Sequence, residues 1–354
     1  MLAPGSIIGV MGGGQLARMF ALKAVQYGYH VHIYSDNADC PAKDVSYQMT
    51  VADYKDEKTL ASFCNAVNVV TVEFENIPAK AASFIAEKVD FFPAPDMFAV
   101  CRDRGKEKVF IKQAGGQTAR YAVVHSQSEL EHAVANIGMP CIVKTTTEGY
   151  DGKGQFRINN VEEIQNLWTE AGERELIVEA FVSFASEASA IIARNQEGDM
   201  HIFPIADNEH KEGILHRSVV PTRISELAQS HIIKTAQNIA EYAQLIGLLA
   251  IEFFIMDDNS VLVNEMAPRP HNSGHWTMNG CNVCQFEQLL RICTRMPLKH
   301  PYIIEPTVMT NIIGEEVDNM GAYYKDKDAH VHLYGKKMRP GRKMGHVNHV
   351  ALRT

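Results

Sequence analysis

The sequence predicts an α/β protein of two or three domains that begins with a Rossmann-like unit. Its 354 residues exceed one domain at roughly 100–200 residues each. A short apolar strand at 7–11 runs into Gly12-Gly13-Gly14, followed by a helical pattern at 15–27 and a second strand at 30–35, which together make a βαβ unit. Much later, residues 250–265 read as a hairpin that sets two glutamates across from one another.

Composition narrows the function. Hydrophobic residues are 46% and charged residues 21%, an ordinary globular mixture. With 34 Lys and Arg against 42 Asp and Glu, the net charge is −8, so the chain lacks the basic footprint of a nucleic-acid or anionic-membrane binder. No signal peptide is visible, and no apolar run approaches the ~18 residues of a membrane span. Seven scattered cysteines fit a reduced, cytoplasmic protein. Cys281-x-x-Cys284 has no second cysteine pair to complete a zinc site, and the Asn-Ser-Gly between His271 and His275 argues against a metal-binding helix there.

Within the first 97 residues, another strand at 69–74 carries Glu73 and leads into Glu75-Asn76-Ile77-Pro78, and residues 91–95 read as a last strand running into a linker. Ligands of open α/β sheets bind beyond the carboxyl ends of the strands, which places the glycine turn, Glu73 and Glu75 on the binding edge. Gly12-x-Gly14-x-x-Ala17, with Asp36 downstream, fits a dinucleotide fingerprint and keeps NAD open at this point. A glycine turn into a helix N-terminus suits any phosphate or carboxylate equally.

A strand at 141–144 ends in Lys144. The loop Gly149-Tyr150-Asp151-Gly152-Lys153-Gly154-Gln155 follows, with glycines and a lysine suited to closing over nucleotide phosphates, although it is not a Walker A loop. Ser225 is placed to cap a helix with apolar positions Leu227, Ile232, Ile233, Ala236, Ile239, Ala240, Ala243 and Ile246, and Gly247 is expected to stop it. In the hairpin, strands at 250–256 and 261–265 joined by a loop centred between Asp258 and Asn259 pair Glu252 with Glu265. Like charges so placed are destabilising by up to ~1 kcal/mol. A divalent cation would remove the conflict, and with Asn264 as a third oxygen donor the set suits Mg²⁺ shared with substrate phosphates. Near the C-terminus Lys336, Lys337, Arg339, Arg342 and Lys343 form a local basic cluster.

Six segments together carry a resemblance. They are Gly12-Gly13-Gly14-Gln15-Leu16, Glu73-Phe74-Glu75-Asn76-Ile77, the glycine loop at 149–155, His210-Lys211-Glu212-Gly213-Ile214-Leu215, the stretch 264–277, and Arg339-Pro340-Gly341-Arg342-Lys343 with Gly345-His346. Over essentially its whole length the chain resembles the ATP-grasp superfamily and, within it, the 5-(carboxyamino)imidazole ribonucleotide synthases of purine biosynthesis. The resemblance implies an ATP-grasp fold with an N-terminal Rossmann-like domain (1–97), an ATP-grasp region (98–300, with a lid at about 120–185) and a small C-terminal domain (301–354) that reads as shortened. It implies carboxylation of aminoimidazole ribonucleotide with ATP and bicarbonate through carboxyphosphate, one or two Mg²⁺ ions, and a homodimer.

Carried over by position, Arg269, Lys144 and Lys153 are the catalytic cations. ATP falls to Arg104, Lys144, the loop 149–155, the hinge residues Glu179, Ala180, Phe181 and Val182, and to Glu187, His210, Asn264 and Glu265. Glu252, Glu265 and Asn264 hold metal. The ribonucleotide falls to Gly13, Gly14, Gln15, Leu16, Glu73, Glu75, Tyr150, Asp151, Arg269, His271, Asn272 and Ser273, with Lys336, Arg339 and Arg342 on its phosphate. Two departures stand out: Ala17 where a glycine is common, and an end eight residues after His346. Another ATP-grasp ligase, such as a formate-using transformylase or a biotin carboxylase, or a nucleotide-binding protein inactivated by a short tail, remain alternatives.

Overall fold

A computed structural model of the chain describes residues 1–147 and 154–350. Among these described residues the backbone forms three sheets. The first is parallel: β1 (Ile7–Met11), β2 (His30–Ser35), β3 (Gln48–Val51), β4 (Val69–Val72) and β5 (Phe91–Phe92) in the order β3-β2-β1-β4-β5, with α1 (Gln15–Gln26), α2 (Glu57–Asn65) and α3 (Ala79–Ala86) as crossovers. β1 is apolar throughout and β4 nearly so, because both faces are covered, one by α1 and the other by α2 and α3; Thr71, the exception in β4, donates its hydroxyl to the Phe92 carbonyl.

The stretch expected to be a linker is instead helical. α4 (Pro95–Cys101) starts with Pro95 in its first turn, where the missing N–H costs nothing, and α5 (Arg104–Gln113) is capped by the Asp103 carboxylate. A four-stranded sheet follows in the order β6-β9-β7-β8, from β6 (Tyr121–Val124), β7 (Cys141–Thr145), β8 (Gln155–Ile158) and β9 (Leu176–Ala180), and is covered by α6 (Gln127–Ile137) and α7 (Leu167–Glu170).

The third sheet holds β10 (Ser186–Arg194), β11 (Met200–Ile202), β12 (Ala206–Lys211), β13 (Ile214–Val220), β14 (Gly247–Ile255), β15 (Val261–Ala267), β16 (Thr307–Ile313), β17 (Ala329–Leu333) and β18 (Lys343–Val350). Their order is β15-β14-β10-β12-β13-β16-β18-β17, with β11 on β10. α8 (Glu226–Tyr242) packs on one face. After the short α9 (Thr277–Gly280), α10 (Gln285–Thr294) is inserted between the sheet and α1, so that one core joins this sheet to the N-terminal domain. α11 (Gly321–Lys325) lies beside β17.

Ser225 caps α8 as expected, accepting from the Ala228 N–H, but Gly247 does not end it. The helix stops at Tyr242, Gln244 takes a left-handed conformation (φ 46°), and Gly247 is already the first residue of β14. Glu252 and Glu265 do pair, by a route the sequence did not disclose. The tip is one residue tighter than expected, so Ile255 faces Val261, with Asn259 left-handed at the turn; a bulge at Asn264 then restores the Glu252–Glu265 register. No helix among the described residues is long and apolar enough to cross a membrane.

Candidate active site

The three sheets enclose a cleft of about 1040 Å³. Its floor is one pleated face of the large sheet. Glu252 lies opposite Ser189 of β10 and opposite Glu265 of β15, while Glu187, two residues before Ser189, faces Phe254. Alternation along β14 therefore puts Phe254 on the Glu252 face, where it stacks on Phe184 with ring centroids 4.6 Å apart. This aromatic wall went unrecognised in the sequence, although the period-two pattern from Glu252 points to it.

Lys144 at the end of β7 meets Glu179 at the end of β9, with Nζ 2.5 Å from one carboxylate oxygen, and Lys108 of α5 takes the other at 2.8 Å. Burial alone would raise Glu179, but the two lysines outweigh it and hold its carboxyl at about 2. Burial pulls Lys144 below its ordinary value despite Glu179, and the nearby Arg104 and Lys108 charges add to the effect. β9 ends at Ala180, and Ala180, Phe181 and Val182 line the cleft together with Gln155. Gly149, Tyr150, Asp151, Gly152 and Lys153 lie outside the described residues; Gly154, at the end of that loop, is left-handed (φ 70°) and its carbonyl accepts from Thr145 N–H.

The acidic pair is the electrostatic centre. Glu252 is pushed up to about 7, first by burial and then by the Glu265 charge opposite it. Arg104 NH1 donates to Glu265 at 3.5 Å, and His271 Nδ1 lies 3.8 Å from Glu252. Burial drives His271 well below its ordinary value and keeps it neutral. His210 is held 3.0 Å from Glu187; burial opposes its charge, but Glu187 and Glu252 raise it overall.

From the opposite wall, Arg269 pairs with Glu75, whose carboxyl falls to about 2 because that guanidinium outweighs the effect of burial. Gln15 and Leu16 line the cleft, whereas Gly13 and Gly14 do not. A Cβ on Gly14 would run into the Glu73 carboxylate, and one on Gly13 into Cys40. Glu73 occupies the N-terminus of α1, where a dinucleotide pyrophosphate would need to sit, so the glycine turn here serves a carboxylate of the chain itself and the NAD alternative falls. Ser273 is buried beneath the site, its hydroxyl 2.9 Å from His271 Nδ1. Asn272 lines the cleft with both side-chain polar atoms buried and unpartnered, an exception of the kind that binding sites supply. Lys336, Arg339 and Arg342 close one end; Lys336 donates to the Lys343 carbonyl at 3.1 Å, and Lys337 ties the loop to Asp39 at 2.9 Å.

Two antiparallel sheets facing one cleft, the smaller carrying buried Lys144 and the larger the paired Glu252 and Glu265, are the architecture of an ATP-grasp ligase. A family model of the ATP-grasp domain matches residues 109–286, one of the ribonucleotide synthetase preATP-grasp domain residues 6–102, and one of the phosphoribosylaminoimidazole carboxylase C-terminal domain residues 307–353. The chain is 41% identical to the N5-carboxyaminoimidazole ribonucleotide synthase of Brucella melitensis, over 100% of its own length and 98% of the relative's. An ADP complex of an N5-carboxyaminoimidazole ribonucleotide synthetase superposes with a TM-score of 0.96 at 36% identity, covering 99% of this chain and 94% of that one. The Aspergillus clavatus enzyme, in complex with ADP and 5-aminoimidazole ribonucleotide, superposes with 0.92 at 25% identity, covering 98% and 94%. The chain belongs to the N5-carboxyaminoimidazole ribonucleotide synthase family of ATP-dependent ligases.

Proposed function

We propose that this chain carboxylates the amine of 5-aminoimidazole ribonucleotide with bicarbonate, driven by ATP, in de novo purine synthesis. A bicarbonate oxygen attacks the γ-phosphorus and ADP leaves. The amine nitrogen then attacks the carboxyl carbon of carboxyphosphate, phosphate leaves and the amine gives up a proton. Carboxyphosphate is lost to water, so the enclosed cleft and the glycine loop of the lid have a gating task.

In this reading the backbone at 179–182 reads adenine against the Phe184–Phe254 wall, and Glu187 takes the ribose hydroxyls. Lys144, Lys153 and Arg104 meet the phosphates, with His210 close by. ATP phosphates entering the cleft would compete with Glu179 for Lys144, which a neutralising second lysine on Glu179 makes easier. Glu252, Glu265 and Asn264 fit Mg²⁺: the carboxylates repel as they stand, and all are hard oxygen donors. Among the described residues no three His, Cys, Asp or Glu side chains converge on a metal, which suits an ion that shares its shell with substrate phosphates. When bound, Mg²⁺ would neutralise charge on the transferring phosphoryl group, a task Arg269 shares.

The ribonucleotide lies between Glu75, Glu73, His271 and Asn272 with its phosphate on Lys336, Arg339 and Arg342; arginine forks suit phosphate oxygens. Tyr150 and Asp151 join it from the lid loop. The observation that carries the reading is a single cleft in which a lysine-bearing lid, an acidic hairpin and a separate basic loop converge. Product formation with ATP, bicarbonate and the ribonucleotide withheld in turn tests it: each omission abolishes the carboxylated product, and product formed without bicarbonate refutes the assignment. The same reading includes a homodimer, which sedimentation equilibrium checks.

A further inference from the structure

Asn264 and Glu265 are neighbours on β15, yet both line the cleft. In a regular strand successive side chains face opposite sides. The bulge resolves this: Phe253 faces Val263 and Glu252 faces Glu265, so Asn264 is the extra residue and the ladder breaks beside the acidic pair. β15 is the edge strand of its sheet, so the backbone groups that point away from β14 on either side of the bulge have to be satisfied elsewhere. Two consecutive residues of α5 meet them. The Glu107 carboxylate accepts the Met266 N–H at 2.7 Å, and Lys108 Nζ donates to the Asn264 carbonyl at 3.1 Å. Both residues are 2% exposed, an expensive placement for a glutamate and a lysine unless their polar atoms are used.

We propose that Glu107 and Lys108 are positioning residues that clamp the bulged peptide on either side of Glu265 and so set how the hairpin presents Glu265 and Asn264 to a divalent cation. Through its second bond, to Glu179, Lys108 also ties this hairpin to the hinge of the lid, so the metal site and the nucleotide hinge are held by one helix. The inference rests on the metal assignment above. Neither residue is assigned to a reacting atom; Glu107 acts through the Met266 N–H, and Lys108 through the Asn264 carbonyl and the Glu179 carboxylate.

The test is calorimetric and needs no turnover: ADP affinity is measured in EDTA and across a MgCl₂ titration for the wild-type protein and variants. Residues that orient metal ligands typically cost 10–100-fold in metal affinity when lost. Glu107→Ala therefore raises the MgCl₂ concentration that half-saturates the tightening by about tenfold or more, with ADP affinity in EDTA changed by less than about threefold. Glu107→Gln, whose amide oxygen still accepts the Met266 N–H, restores the wild-type value. Lys108→Met serves should Glu107→Ala fail to fold: it raises the half-saturating MgCl₂ concentration by a similar factor, on top of a metal-independent weakening of ADP that follows from leaving Glu179 to Lys144 alone. Unaltered Mg²⁺ dependence in the variants overturns the clamp, as does an equal loss with and without the metal, which marks a merely structural role. No tightening by Mg²⁺ in the wild-type protein overturns the metal assignment and the clamp together, whereas the omission assay for product judges the ligase reading separately.

Discussion

Replacing Glu252 by glutamine should stabilise the metal-free protein while removing its response to Mg²⁺. Glu252 is 9% exposed and faces Glu265 directly, and its carboxyl is pushed from 4.5 up to about 7. A carboxyl whose folded value is raised favours the fold at low pH, and that contribution is lost as pH rises from 4.5 through about 7. At pH 8 the group is ionised in both states, and the difference amounts to about 3 kcal/mol against the fold; at pH 5 it is about 1 kcal/mol. A neutral amide of similar volume avoids the penalty, so Glu252→Gln should gain about 2 kcal/mol more at pH 8 than at pH 5. Urea unfolding in EDTA at both pH values measures this. Added MgCl₂ should stabilise the wild-type protein at pH 8 and leave the variant unmoved. A variant no more stable than wild type at pH 8, or one whose gain does not depend on pH, refutes the reasoning.

Arg269→Gln strips Glu75 of its guanidinium partner; turnover should fall by about 10²–10³-fold, the usual scale for one transition-state donor, with ADP affinity little changed, and a variant retaining near-normal kcat contradicts the assigned role. Lys336→Ala and Arg342→Ala should each raise KM for the ribonucleotide by about tenfold, as loss of one charge-assisted hydrogen bond does; a matching rise in KM for ATP would misplace the phosphate end of the site. Tyr334→Phe removes the partner 2.8 Å from His346 Nδ1 inside a stack of His275, His346 and His332. The buried, unsatisfied ring should cost about 1–3 kcal/mol in urea unfolding, and an unchanged midpoint would show that the network is not strained by the loss.

What could be read in advance follows from which signals are local. The first βαβ unit declares itself because apolar runs, a glycine turn and helical periodicity sit within 30 residues, and β1, α1 and β2 fall almost where the pattern puts them. α4 is hidden because Pro95 reads as a breaker unless its place in the first turn is known. The Glu252–Glu265 pairing was legible only because a tighter tip and a bulge displace the register in opposite senses. Nothing within the hairpin signals the bulge, since the residues that satisfy it, Glu107 and Lys108, are more than 150 positions away. The glycine turn was misleading for the same reason: its occupant, Glu73, arrives from β4, and only the fold brings them together.

The junction between β13 and β16 has an implication for how such enzymes diversify. Arg217 pairs with Thr310 and Val219 with Val308, so the family boundary near residue 307 is crossed by a continuous hydrogen-bonded ladder rather than by a tether. Asn348 of β18 reaches back to the His275 carbonyl and to Asn279, deep in the preceding segment. The loop that carries Lys336 and Arg342 is thus soldered to the residues that flank His271. Recombination that exchanges the last fifty residues alone would tear a sheet and strand buried amides, so a chimera with altered ribonucleotide preference has to carry residues 271–279 along with the tail.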